Sequence, residues 1–108
     1  MYTSDYHVHS YNSRTSLTNG HIHCMDGITG NGIPYSSSHV HYYCGVTTFD
    51  DGHVHYYRGA TGPEIYLPGG GHTHAYSGCT THDFAHAHAY SGQTSNADFP
   101  HLFNKAYK

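Results

Sequence analysis

From residue 7 to residue 94 the chain alternates between fixed and variable positions in a nine-residue frame, His-x-His-x-Tyr-x-Gly-x-Thr. Residues 53–61, HVHYYRGAT, carry it in full, and the other copies start at His7, His21, His39, His72 and His86. Two positions depart from it, Met25 in place of Tyr and Ser13 in place of Gly. A period of two is the signature of a β-strand, so His, His, Tyr, Gly and Thr share one face. Between the paired histidines stand Val8, Ile22, Val40, Val54, Thr73 and Ala87, mostly β-branched, and this edge of the second face is expected to be core. Asn12, Asp26, Arg58, Ser77 and Gln93 lie further along that face and are expected near solvent. Both faces then look partly covered, as in a sandwich or an assembly.

Successive frames begin 14, 18, 14, 19 and 14 residues apart, so the larger unit is a pair of frames, at 7–29, 39–61 and 72–94. Within a pair only five residues join the strands: SLTNG, TFDDG or THDFA. Five residues cannot return along a strand of roughly 25 Å, so each pair must be an antiparallel hairpin. NG or DG at the loop end suits positive φ. The natural register sets Thr47 against His53, Gly45 against His55, Tyr43 against Tyr57, His41 against Gly59 and His39 against Thr61. In that register the inner histidine faces a glycine, leaving room for a ring or an ion, and the outer one faces a threonine hydroxyl that could set its tautomer. The links 30–38 (GNGIPYSSS) and 62–71 (GPEIYLPGGG) read as turns between hairpins. The expected architecture is all-β: three tandem antiparallel hairpins in one domain, 1–108, forming a sandwich-like or filament-like assembly. Residues 95–108 lie off the pattern, and Phe99, Leu102 and Phe103 in this tail are expected to cap the core or dock on a neighbour.

Composition narrows the function classes. With 108 residues, 10% charged and a net charge of −3, the chain has no basic footprint for nucleic acid. No apolar run is long enough for membrane insertion, and the N-terminus lacks the basic and apolar regions of a signal peptide. These features do not fix the compartment: a filament subunit is expected to be extracellular or at the cell surface, and otherwise the chain is expected in the cytoplasm. Three cysteines, Cys24, Cys44 and Cys79, with no CxxC, support neither a disulfide framework nor a zinc finger.

The tandem HxHxYxGxT copies, with GPEIYLPGGGHTH between two of them, resemble the YmaF-like family of small bacterial His-rich repeat proteins. The resemblance covers about residues 7–94 and is best over 39–94. It implies a β-repeat protein associated with metal, and it carries no settled activity.

Twelve of the fourteen histidines form six His-x-His pairs: His7/His9, His21/His23, His39/His41, His53/His55, His72/His74 and His86/His88. Two histidines at i and i+2 on a strand point the same way, with Cβ atoms about 7 Å apart, close enough to share an ion. Neutral imidazole suits a transition metal, with copper the first expectation and zinc the second. The frame lacks carboxylates, which disfavours calcium and magnesium. Met25 and the cysteines could soften a site, although Cys24 and Cys44 alternate onto the opposite face. The two pairs of one hairpin sit at opposite ends, so sites must join pairs from different hairpins or subunits. Three hairpins around a pseudo-threefold axis would place six histidines at each end. Two other readings stand beside this one: a metal-free β-repeat whose histidines satisfy one another, and a metalloenzyme drawing on Asp50, Asp51 or Asp83. Six near-identical copies suit storage or a scaffold better than one active site. The expected partner is a second copy of the chain, in a homo-oligomer or filament. His82 and His101 lie outside the frame and are expected to be surface or packing residues.

Overall fold

The computed structural model describes residues 7–96. They form eight strands and no helix: β1 (Ser10–Arg14), β2 (Cys24–Ile28), β3 (Gly32–Tyr35), β4 (Ser38–Val46), β5 (Tyr56–Ala60), β6 (Glu64–Tyr66), β7 (His72–Cys79) and β8 (Ala89–Gln93). The predicted hairpins are the antiparallel pairs β1–β2, β4–β5 and β7–β8. Their loops turn on consecutive positive-φ residues: Asn19–Gly20, Asp51–Gly52 and Phe84–Ala85. That backbone matches the twist of the flanking strands, and NG and DG adopt it at little cost. The third loop makes the same turn without glycine.

The two longer links hold more than turns. Residues 32–35 and 64–66 are strands β3 and β6, which pair with the first halves of β4 and β7. Alternating side chains and a reversal at Ser36 (φ 57°), or at Gly70 and Gly71, let each link fold back on the strand it leads into. The result is three separate sheets, β1–β2, β3–β4–β5 and β6–β7–β8.

Backbone hydrogen bonds close the three hairpins into a ring. At one end Thr48 N–H donates to Cys24 O, Thr81 N–H to Tyr56 O and Ser16 N–H to Ala89 O. At the other, Gly30 N–H donates to Tyr42 O, Gly62 N–H to Ala75 O and Ser95 N–H to Ser10 O. Each hairpin thus touches the next and the third returns to the first, the pseudo-threefold arrangement that the even spacing allowed.

The register differs from the expected one by two residues. Tyr43 pairs with Gly59 and Gly45 with Tyr57; the same holds for Tyr11 and Gly27, Tyr76 and Gly92, and Gly78 and Tyr90. A shift of two keeps every side chain on its face, so alternation alone could not choose. Packing decides it. A Cβ at Gly27 would stand 2.5 Å from the Tyr11 hydroxyl, and one at Gly59 would stand 2.7 Å from that of Tyr43. The glycines therefore make room for tyrosine rings, not for imidazoles or ions. The two departures from the frame fall on one rung, where Ser13 faces Met25.

The shared face of the frame points inward. Tyr11, Met25, Tyr43, Tyr57, Tyr76 and Tyr90 form a buried layer midway along the axis, with histidines on either side. The second face is more open than expected: Val8 and Thr73 are buried, Val40, Val54 and Ala87 half-buried, and Ile22 exposed. Three hairpins around one axis bury one face only, and among the described residues no second layer covers the outside. The cap expected from Phe99, Leu102 and Phe103, and the position of His101, lie outside the described residues.

Candidate metal centres

Each frame threonine binds the strand opposite. In the observed register Thr47 accepts the His55 N–H at 3.0 Å, Thr61 that of His41 at 3.1 Å and Thr94 that of His74 at 3.1 Å. The threonines thus serve the inner histidines through the backbone; they do not set the outer tautomers as expected.

The tautomers of the inner histidines are set by carbonyls. His9 Nδ1–H donates to Ser95 O at 2.8 Å, His41 to Gly30 O at 2.8 Å and His74 to Gly62 O at 2.8 Å. At the other end His23 donates to Thr48 O at 2.9 Å, His55 to Thr81 O at 3.1 Å and His88 to Ser16 O at 2.9 Å. A carbonyl only accepts, so Nδ1 carries the proton and Nε2 keeps its lone pair. Every acceptor belongs to the residue just after a frame threonine. The frame is therefore ten positions long, its last being a small residue (Ser16, Gly30, Thr48, Gly62, Thr81, Ser95), a signal open to sequence reading that the nine-residue frame missed.

The outer histidines are held less uniformly. His53 Nδ1–H donates to Asp51 O at 3.1 Å and His86 to Phe84 O at 3.0 Å, within their own hairpin loops. Carboxylates border both ends: Asp51 lies 3.2 Å from His21, Asp50 3.4 Å from His23, Asp83 3.4 Å from His55, and Glu64 3.7 Å from His39. Glu64 comes from the link strand β6, and its position there followed from no motif.

The ring gathers all twelve histidines into two sets. His7, His9, His39, His41, His72 and His74 occupy one end, and His21, His23, His53, His55, His86 and His88 the other. In each set one ring nitrogen per residue lies within 4.8 Å of all the others. The rings pack edge to face, as for His9 and His41 with centroids 4.5 Å apart at 80°. Nε2 of His9, His21, His23, His41, His74 and His88 is buried with no hydrogen-bond partner. Unsatisfied buried acceptors are costly, and the three in each set point into one small space, where they repel unless a cation lies between them. Burial, with the neighbouring imidazoles adding to it, holds the His7 pKa down to about 3. Burial likewise brings His9 to about 3 and His41 to about 4, and it lowers His55, His72, His74 and His88. Burial thus favours the neutral form of these seven imidazoles, the form a metal requires.

The softer donors stay outside. Met25 is fully buried, but in the tyrosine layer, and the three cysteines are exposed on the outer faces. Neither joins a histidine set, because Met25 takes a tyrosine position and the cysteines take off-frame ones. His82 is exposed, as expected.

A family model described as "Spore germination protein GerY/YamF", with the short name YmaF, matches residues 4–95. The chain belongs to the YmaF family. The match spans all three hairpins and both histidine sets of this YmaF protein. No curated protein and no solved structure matches the chain.

Proposed function

We propose that this YmaF protein binds transition-metal ions, one at each end of the ring, in a storage or scaffold role. The observation that carries the reading is the buried, unpartnered Nε2 atoms of each set, aimed at one another from rings whose Nδ1 protons are already committed to carbonyls. Carboxylates beside the ring Nδ1 atoms add to the attraction for a cation, in the manner of outer-shell partners in metal sites. Each ion would join three hairpins whose strands are only five to nine residues long, so metal would act as a clamp on the fold. On ligand type alone, copper and zinc are the first candidates.

Self-association into an oligomer or filament is part of the proposal. Its support is the exposed outer surface, including Tyr42, Tyr56, Tyr66 and Val46, and the short edge strands β3 and β6. Shared ions are not needed for it, since each set draws all six histidines from one chain.

Elemental analysis of the untagged protein tests the metal reading. About two equivalents of transition metal per chain are expected, falling to about one when His53 and His55 are both replaced by alanine. Retention of no metal after copper, zinc, iron, cobalt and nickel have each been offered would reduce the histidines to self-packing groups. Light scattering with and without chelator tests the assembly: a single monomeric species in both would refute it.

A further inference from the structure

The dimensions of each set specify a coordination number. His7 Nε2 lies 3.1 Å from His39 Nε2 and 3.1 Å from His72 Nε2; His55 Nε2 lies 3.1 Å from His53 Nε2 and 3.2 Å from His86 Nε2. Within each set the six ligand nitrogens, one per residue, all lie within 4.8 Å of one another. Each ring of the first set also contacts four of the other five, His7 meeting His9, His39, His41 and His72 at centroid separations of 4.8–5.1 Å, and twelve such contacts among six groups have the connectivity of an octahedron. The centre of such an octahedron lies about 2.2 Å from every vertex, a metal–nitrogen bond length slightly beyond the 2.0–2.1 Å of zinc.

The cage resists contraction to four ligands. The three inner rings of each set are anchored through Nδ1 to the junctions between hairpins. The outer rings wedge between them edge to face, His7 against His41 at 4.9 Å and His23 against His53 at 4.9 Å. Pulling four nitrogens inward to a tetrahedron would leave two buried lone pairs beside the ion unsatisfied. Three hairpins contributing two rings each give two triangles, and these are staggered, since each outer ring lies against two inner ones: His7 against His9 and His41, His39 against His41 and His74, His72 against His74 and His9.

We infer that each set is an octahedral, all-imidazole site for one divalent first-row ion of octahedral preference (iron(II), cobalt(II) or nickel(II)). The inference rests on the metal-holding reading and deepens it by naming the class of ion. Zinc in structural sites is almost always four-coordinate and tetrahedral, and copper(II) prefers a tetragonal field, whereas these rings are packed at similar centroid spacings, 4.5–5.1 Å in the first set. Imidazole suits iron and nickel. Six protein ligands leave no position for water or substrate, so the ion is held and shielded, and hydrolysis through a metal-bound water has no place in the site.

Cobalt(II) is the probe. The full-length apoprotein is loaded with two equivalents and its metal environment read by X-ray absorption and by visible spectroscopy. The expected result is six nitrogen neighbours at about 2.2 Å with the weak visible bands of octahedral cobalt. A companion competition at equal free concentrations is expected to fill the sites with nickel over zinc by at least about tenfold. Four or five short cobalt–nitrogen distances with the intense bands of tetrahedral cobalt, or a preference for zinc, would overturn the octahedral assignment while the metal-holding reading survived. Failure to retain any ion would overturn both.

Discussion

Ser13 and Met25 are the two exceptions to the frame, and they stand opposite each other. The other rungs pair tyrosine with glycine because the phenol crosses the space a Cβ would fill. Met25 is unbranched and adaptable, so the opposite residue can carry a side chain, and Ser13 Oγ–H approaches the Met25 sulfur at 3.9 Å. The exchange leaves a gap in the hydrogen bonding of the layer. Tyr11 pairs with Tyr57 at 3.0 Å and Tyr43 with Tyr90 at 2.9 Å, one hairpin to the next. Continuing round the ring, Tyr76 should meet residue 25, which is methionine, and its hydroxyl is buried without a partner. Met25→Tyr alone is expected to destabilise the protein, because the new hydroxyl would run into Ser13. The double variant Ser13→Gly, Met25→Tyr should recover that loss and gain about 1 kcal/mol over the parent from the third tyrosine pair. Urea denaturation of the apoproteins checks both, and a double variant no more stable than Met25→Tyr would count against the pairing. Gly59→Ala is expected to cost about 1–3 kcal/mol in the same measurement, since the added methyl meets the Tyr43 phenol.

At the level of the hairpin, direction was legible and register was not. Five-residue links exclude parallel strands whatever else the chain does, and NG and DG announced the positive φ that Asn19, Gly20, Asp51 and Gly52 adopt. The third loop puts Phe84 and Ala85 in the same region, at φ 54° and 67°. A left-handed backbone costs an L residue roughly 1–2 kcal/mol, so Ala85→Gly is expected to stabilise the protein by about 1 kcal/mol. A thermal melt of the apoprotein with an unchanged or lower midpoint would refute this. Phe84 pulls the other way: its ring lies 4.8 Å from that of His53 and covers one side of the histidine set. The links 30–38 and 62–71 were read as turns because proline and glycine dominate them. That they fold into β3 and β6 depends on the edges of β4 and β7 being free to accept them, which is a property of the assembled sheet.

At the largest scale, residues 7–96 form a ring with a buried tyrosine waist and a histidine set at each end, and its response to pH follows from that layout. In the unfolded chain the histidines titrate near 6.5; in the folded apoprotein His7 and His9 are held to about 3 and His41 to about 4. Between those limits the unfolded state binds more protons, so stability is fully present above about pH 6.5 and declines as the pH falls towards 3–4. The urea midpoint of the apoprotein is expected to be lower at pH 4.5 than at pH 7.5, and an equal or higher midpoint would contradict the buried, neutral state of the rings. Bound metal should add about 2.7 kcal/mol per site at a free ion concentration a hundredfold above Kd, and chelation should remove it. Melting temperatures that do not change between loaded and stripped protein would separate the histidine sets from any structural ion.

The sequence by itself determined the repeat strands, their pairing into hairpins and the residues that share a face, because a period of two and a five-residue loop leave the backbone few choices. It also brought forward the twelve histidines, since only a repeated frame places paired imidazoles at both ends of three equivalent units. Tertiary structure decided the rest. A shift of two residues is invisible to alternation, and only the volume of a tyrosine ring against a glycine sets the register. Which carbonyls hold the Nδ1 protons, and therefore where the Nε2 lone pairs point, depends on how one hairpin meets the next. The convergence of six nitrogens on a point is a consequence of closing three hairpins around one axis, and no single strand carries that information.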